Sequence, residues 1–534
     1  MEPESSTRAN NRYTVKMKYL VIIIVAIMRI LNILIVAFIS IFGKKKEVVP
    51  PITDKTLMIS AKKLAILIRQ GKLSSEEVVQ RYIKRIQEVN PLINAVIDDR
   101  FEKALQEAKF VDHCLKSGVS TEEELRNIKP LLGVPITVKV SCKVLGLDFS
   151  VGVNSRRGLK APFDSYTVSK LKSKGAIPIL VSNTPEACMS WYCYNKISGT
   201  TCNPYDITRI SGGSSGGEGA LLGAGASLIG IGSDVGGSIR IPAMLCGVFG
   251  HKPTPRMTCM EGHYPYPTGP EMLDYFTMGP MTRYAEDLKF LMELMRILPG
   301  SDNLRLEEKV DLKKLRIYCM PEIPKSYFVP NVDVEIKKAI NQAAMYLAQQ
   351  SGCTLMTENN LGNYFHDSFL CSMSLIMELR GLSDPLKQEN RCVVIELIKE
   401  LFGLSNYTIC YLITIFLQTF IRPTQMTGFR KMNEDLKKYL LEELRDDGVL
   451  ICPSYTGVAP KHSQAFFKFL DLTYLPVFNT LGFPATQVPC GRGYKGLPIG
   501  FQVVAAPKQD RLCFAVAEEL EKCFGGWLPP QSNT

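Results

Sequence analysis

Metal and redox motifs are missing from this 534-residue chain. Its sixteen cysteines, spread from Cys114 to Cys523, include no C-x-x-C pair, which excludes zinc knuckles and thioredoxin-like redox sites. So many unpaired-looking thiols fit a folded part that meets a reducing compartment. Histidine is scarce. His113, His251, His263, His366 and His462 are all there are, and none has a sequence neighbourhood that points to a role. There is no internal repeat and no long low-complexity linker after residue 60. With 46% hydrophobic and 22% charged residues, a disordered chain, a collagen and a coiled coil are excluded.

At about 100–200 residues per domain, the length allows two or three domains or one large α/β unit. The lack of a linker favours one continuous domain of catalytic size over residues 57–534. The formal net charge is +11, and almost half of it falls in residues 1–50, where eight basic residues face Glu2, Glu4 and Glu47. Basic residues beside an apolar segment point to a membrane surface before nucleic acid.

That apolar segment, residues 19–42, reads YLVIIIVAIMRILNILIVAFISIF, with Arg29 and Asn32 its strongly polar members. A spanning helix needs roughly 20 apolar residues. The run is longer than a signal-peptide core, lacks an A-x-A cleavage pattern and is followed by Lys44, Lys45 and Lys46. We expect a basic arm over 1–18, an uncleaved transmembrane anchor over 19–43 and a linker over 44–56 stiffened by Pro50 and Pro51. Arg29 costs about 2.5–3.5 kcal/mol on insertion scales, which the surrounding residues offset. An in-plane segment is the alternative, and basic residues at both ends leave the orientation undecided.

Beyond the linker, residues 60–69, 74–88 and 101–111 carry helical spacing, and Ser75 followed by Glu76 and Glu77 is a good helix start. Residues 134–140 and 177–181 are strand-like. Strands alternating with helices indicate α/β architecture.

Residues 211–240 read SGGSSGGEGALLGAGASLIGIGSDVGGSIR, with eleven glycines and six serines. A flexible linker would match that composition, but the apolar, small-residue middle suits a buried helix and strand between two tight turns. Such turns can present consecutive N–H groups to an oxyanion. No Gly-Lys-Ser/Thr follows the glycines, so a P-loop fails, and Val235 stands where a dinucleotide fingerprint needs its third glycine. A G-x-S-x-G elbow matches literally at residues 213–217, yet the preceding segment is polar and no acid and histidine follow suitably. In residues 133–142, Thr137, Lys139 and Ser141 alternate with Ile136, Val138 and Val140. Taken alone, Lys139 reads as a solvated lysine on the polar side of a strand. No acid adjoins it, however, and a desolvated, neutral amine can act as a general base.

GVPITVK, SGGSSGGEGA and GSDVGGSIRIPA carry a resemblance to the amidase signature family, and within it to the membrane-bound fatty-acid amide hydrolases of the second type. It runs from about residue 57 to Trp527 and includes PFDSYTVSKLKSKGAIPI, TTCNPYD, GVFGHKPT, GPMTRYAEDL and FNTLGFPATQVPCGRGYKGLPIGFQVV. The resemblance implies a single α/β domain whose mixed, twisted sheet is covered by helices on both faces. It also implies a Ser–cis-Ser–Lys triad. Lys139 matches the lysine, Ser214 the bridging serine and Ser238 the nucleophile. Val235, Gly236, Gly237 and Ser238 match the turn whose N–H groups form the oxyanion hole, with Ser215, Asp234 and Arg240 supporting it. The family often has an acidic residue straight after the lysine. This chain has Val140, which leaves the tuning of Lys139 open.

The activity that the resemblance implies is that of a membrane-bound serine hydrolase of fatty-acid amides, working without metal or cofactor through an acyl-enzyme. Its partners would be a lipid amide substrate and a bilayer, not nucleic acid, and a homodimer is allowed. An endomembrane such as the endoplasmic reticulum or a lipid-droplet surface would hold it. Residues 393–421 add two apolar helical stretches, read either as an in-plane membrane cap or as buried core helices. A general or aryl amidase, an amidase subunit like that of the glutaminyl-tRNA amidotransferases, and a membrane-tethered lipid-binding pseudoenzyme are the competing readings. The anchor argues against the first two, and an intact Lys139, Ser214 and Ser238 against the third.

Overall fold

The computed structural model describes residues 46–531 apart from 268, 298–303, 325–328, 357–360, 379–384 and 421–426. The expected arm and anchor, residues 1–43, lie outside the described residues. Among the described residues no helix is long and apolar enough to cross a membrane.

Fifteen strands are formed among the described residues: β1 (Val96–Asp99), β2 (Pro135–Lys139), β3 (Ile177–Ser182), β4 (Tyr194–Asn195), β5 (Gly199–Thr200), β6 (Cys202–Asn203), β7 (Asp206–Ile210), β8 (Ile229–Asp234), β9 (Phe249–Lys252), β10 (Thr277–Thr282), β11 (Arg316–Cys319), β12 (Thr354–Met356), β13 (Gly448–Cys452), β14 (Ala485–Arg492) and β15 (Pro498–Ala505). Eleven of them make one mixed sheet in the order β1-β3-β2-β8-β10-β9-β14-β15-β13-β11-β12, and β4–β5 and β6–β7 form small separate ribbons. β2 runs parallel to both β3 and β8, with Lys139 opposite Ser182 and Val138 opposite Ile231. Parallel strands are buried on both faces. Every residue of β2 is accordingly buried, the polar Thr137 and Lys139 as fully as Ile136 and Val138. This corrects the reading of Lys139 as a solvated lysine: alternation marks two faces, but in a central strand neither face meets water.

Two apolar cores lie along the sheet. One joins β2, β3 and β8 to helices Ala61–Arg69 and Ser75–Ile93. The other joins β11, β13, β14 and β15 to helices Val334–Gln350 and Asp510–Phe524. The Ser75–Ile93 helix begins where its serine and acidic residues predict. Ser74 caps the Glu77 N–H at 3.3 Å, and Asp112 takes the N–H groups of Ser75 and Glu76 at 2.8 and 3.0 Å, satisfying the free donors of the first turn.

Part of the segment expected as a linker is held against the domain at Val49 and Pro50. Val49 is fully buried and its N–H reaches the Pro204 carbonyl at 3.2 Å. Arg85 Nη2 donates to the Pro50 carbonyl at 2.7 Å. Residues expected as a membrane cap form helices Val393–Leu401 and Ile409–Phe420, packed on each other. Tyr411, Leu412 and Ile415 bury one face of this pair against Phe149, Val151 and Tyr264. Ile395, Ile398, Leu401, Phe402 and Leu404 are left exposed on the other side.

Candidate active site

Lys139 ends β2 between the ends of β3 and β8, so one buried side-chain amine faces residues from three neighbouring elements. Its Nζ lies 2.6 Å from Ser214 Oγ and 3.0 Å from Ser233 Oγ. Among the described residues no carboxylate is within ion-pair distance of it. Ser214 follows a cis peptide bond from Gly213, and its carbonyl accepts from Thr184 Oγ1 at 2.9 Å. The glycines here serve close approach. A Cβ on Gly217 would stand 2.5 Å from the Asn183 nitrogen, and one on Gly213 would stand 2.7 Å from the Ser190 oxygen. Helix Gly216–Gly223 and β8, both wholly buried, are the helix and strand expected between the two turns.

The second turn, residues 234–240, is organised by Asp234. Its carboxylate accepts from the N–H groups of Gly237 at 2.7 Å and Ile239 at 3.1 Å. Arg240 adds Nε and Nη2, each at 3.1 Å. Burial works against the Asp234 charge, but the Arg240 guanidinium and the hydrogen bonds from Arg240 and Asn479 outweigh it and hold the carboxyl well below its ordinary range. Gly237, at φ +116°, gives the turn a backbone conformation that side chains rarely adopt.

Ser238 lies within this turn, half-buried, and lines a cavity with Gly213, Val235 and Gly236. Its carbonyl accepts the Ser215 N–H at 3.1 Å, which ties the two turns together. Among the described residues no hydrogen bond joins the Ser214 and Ser238 hydroxyls. Of the four N–H groups expected to form an oxyanion hole, that of Gly237 donates to Asp234 Oδ1. Those of Val235, Gly236 and Ser238 have no partner among the described residues. Buried Ser215 accepts the Ser233 N–H on its Oγ at 3.4 Å.

Several polar residues around this cluster carried no signal in the sequence. Ser233 sits between Lys139 and His263, whose Nε2 is 2.9 Å from both Ser233 Oγ and Ser141 Oγ. His263 Nδ1 faces the Pro265 carbonyl at 3.0 Å. Burial, with the nearby Lys139 amine adding to it, lowers His263 to about 3, so the ring is neutral. Behind β2, Thr137 Oγ1 donates to Glu218 Oε2 at 2.5 Å, and burial raises the Glu218 carboxyl to about 7. Asn479 and Gln502 complete the partners of Arg240, at 2.6 and 2.9 Å.

The cavity above Ser238 measures about 870 Å³ with its open mouth. Trp191, Phe276, Met373, Ile376 and Phe469 give it an apolar wall, and Thr414 and Gln418 of the Ile409–Phe420 helix close one side. That helix is held to the site by Glu186. Its Oε2 accepts the Thr408 N–H at 2.6 Å, while Ala187 and Cys188 next to it line the cavity.

A mixed α/β fold here carries a buried lysine–serine cluster beneath an apolar cavity. The chain belongs to the amidase signature family: a family model described as Amidase matches residues 77–349. It is 40% identical over 502 residues to fatty-acid amide hydrolase 2-A of Danio rerio, covering 91% of this chain and 92% of that one. With fatty-acid amide hydrolase 2 of Homo sapiens it shares 41% over 489 residues, or 90% and 92% of the two chains. Among solved structures, 6-aminohexanoate cyclic dimer hydrolase with its substrate superposes with a TM-score of 0.70 at 25% identity, over 89% of this chain and 99% of that one. The chain is therefore an amide hydrolase.

Proposed function

We propose that this amidase cleaves fatty-acid amides, N-acylethanolamines and primary fatty amides among them, to free fatty acid and amine. The observation that carries the reading is the buried contact of Lys139 Nζ with Ser214 Oγ, directly beneath a cavity walled by aromatic and aliphatic side chains and entered by Ser238. Lys139, uncharged, takes the Ser214 proton while Ser214 takes that of Ser238, and the Ser238 oxygen attacks the amide carbonyl. The Ser214–Ser238 hydrogen bond that this relay needs forms as substrate seats; catalytic hydrogen bonds are often incomplete in empty sites. The free N–H groups of Val235, Gly236 and Ser238 receive the oxyanion. Mutagenesis of other enzymes puts one such donor at about 2.7–4 kcal/mol. Ser214 then hands a proton to the departing amine, which leaves poorly as an anion. Water hydrolyses the acyl-enzyme and restores Ser238.

The lipid character of the substrate is supported by the names of the two relatives, by the apolar cavity and by the exposed apolar side of the 393–420 helices. Seated on a bilayer, those helices would pass lipid directly to the cavity, since one of them lines it. The test is a panel of amides of increasing acyl length given to the purified protein, with the released acid followed by mass spectrometry. Turnover should improve as the chain lengthens and vanish in Ser238→Ala. A preference for short or aryl amides overturns the lipid reading, and full activity in Ser238→Ala overturns the assigned nucleophile.

A further inference from the structure

We propose that His263 is a positioning residue for the base: it draws the Ser233 hydroxyl toward itself, so that Ser233 meets Lys139 as an acceptor and the lone pair of the amine is left for Ser214. The inference rests on the Lys139–Ser214–Ser238 reading and adds to it what orients Lys139.

The argument is one of donors and acceptors. A carbonyl can only accept, so the 3.0 Å contact with Pro265 O places the proton of a neutral His263 on Nδ1 and a lone pair on Nε2. Nε2 then offers a single lone pair, which the Ser233 and Ser141 hydroxyls, each at 2.9 Å, share as donors in a bifurcated contact. The T-shaped contact of the ring with Phe276, centroids 4.9 Å apart, restrains its plane. With its proton directed at His263, Ser233 Oγ can only accept at 3.0 Å from Lys139 Nζ. An uncharged amine that gives one N–H to Ser233 then turns its lone pair toward Ser214, 2.6 Å away. Without the ring, the acceptor left within reach of the Ser233 hydroxyl is that same lone pair. Ser233 would then compete with Ser214 for the base.

The measurement is the rate at which a fluorophosphonate labels Ser238, with thermal unfolding followed alongside. His263→Phe should label some tenfold to a hundredfold more slowly, a part of the ~10²–10⁴ that a positioned base supplies in full. His263→Gln, which returns an acceptor, should recover most of the rate. Ser233→Ala alone should slow labelling, but added to His263→Phe it should speed it, because the competing hydroxyl is gone. Equal rates in His263→Phe and the parent, or a further loss in the double variant, overturn the proposal. Independently of any variant's folding, ¹⁵N-labelled histidine spectra of the intact protein should show the His263 proton on Nδ1, and a proton on Nε2 would refute it. If the parent protein itself is not labelled at Ser238, the function assignment has failed instead.

Discussion

Arg240 Nη2 stands 3.1 Å from Asp234 Oδ1, and both side chains are wholly shielded from water. Because Asp234 also holds the N–H groups of Gly237 and Ile239, the ion pair fixes the shape of the turn that carries Ser238. Removing one partner of a buried pair leaves an uncompensated charge, at about 3–5 kcal/mol. Arg240→Ala should lose about that much in denaturant unfolding. Arg240→Lys should not rescue it, since a point charge cannot also reach Gln502, Asn479 and the Leu475 carbonyl. The Asp234 carboxyl is depressed below its ordinary 3.8, so its contribution is complete above that value and is lost as pH falls beneath it. Asp234→Asn should flatten this acid limb of the stability curve.

Gly237 offers a sharper probe of the oxyanion turn. A Cβ there would lie 2.9 Å from Leu475 Cβ, and the backbone is already at positive φ. Gly237→Ala must push the turn aside and with it the neighbouring N–H groups. We expect kcat to fall about 10²–10³-fold, the scale of a lost oxyanion donor, with a much smaller change in KM. Steady-state kinetics on one amide checks this, and an unchanged kcat would remove residues 235–238 from the chemistry.

Lys139→Ala tests the base. The variant should be slower in kcat/KM by about 10²–10⁴-fold. An unchanged kcat/KM on one amide would exclude Lys139 as the proton acceptor.

Features that depend on near neighbours were legible in the sequence. The start of the Ser75–Ile93 helix was read from Ser75, Glu76 and Glu77, although the capping hydroxyl is that of Ser74, and the buried helix and strand between two Gly-Ser turns from small apolar residues beside glycines. Lys139 was legible through its resemblance, not its spacing: period-2 alternation cannot tell a half-exposed edge from a central strand, and only β3 and β8 make β2 central. His263 meets Ser233 from 30 residues away and Ser141 from 122, and Asn479 meets Asp234 across 245. No local pattern carries such pairings. The withdrawal of the Gly237 N–H is likewise invisible until the Asp234 side chain has a position.

Glu186 links the cavity loop to the 393–420 helices and should make that link sensitive to pH. Burial lifts its carboxyl to about 7 from an ordinary 4.5, against the Thr408 hydrogen bond and the Lys196 charge. A raised carboxyl favours the protonated native state. Its contribution is therefore intact below about 4.5 and is lost as pH rises through about 7. Glu186→Gln keeps an acceptor for the Thr408 N–H and cannot ionise. It should gain on the parent protein as pH rises, by about 3 kcal/mol at most near pH 8. Unfolding curves of both proteins across that interval would show the difference, and a constant offset would contradict it.

The outward side of the same helices is the place to test lipid access. Leu401, Phe402 and Leu404 are 78%, 74% and 74% exposed at the end of Val393–Leu401 and in the turn before Ile409–Phe420, three large apolar side chains turned mostly outward. Transfer of such a side chain from water to an apolar phase is worth about 1.5–3 kcal/mol, so three together give a substantial hold on a bilayer. Replacing all three by serine should leave the inner face, with Tyr411, Leu412 and Ile415, in place. Hydrolysis of a long-chain amide held in vesicles should then fall at least about tenfold, while a short, freely dissolved amide should be affected far less. Equal losses on both substrates would mean that the three side chains support the cavity itself, through Thr414 and Gln418, and that the bilayer is not the route by which the substrate arrives.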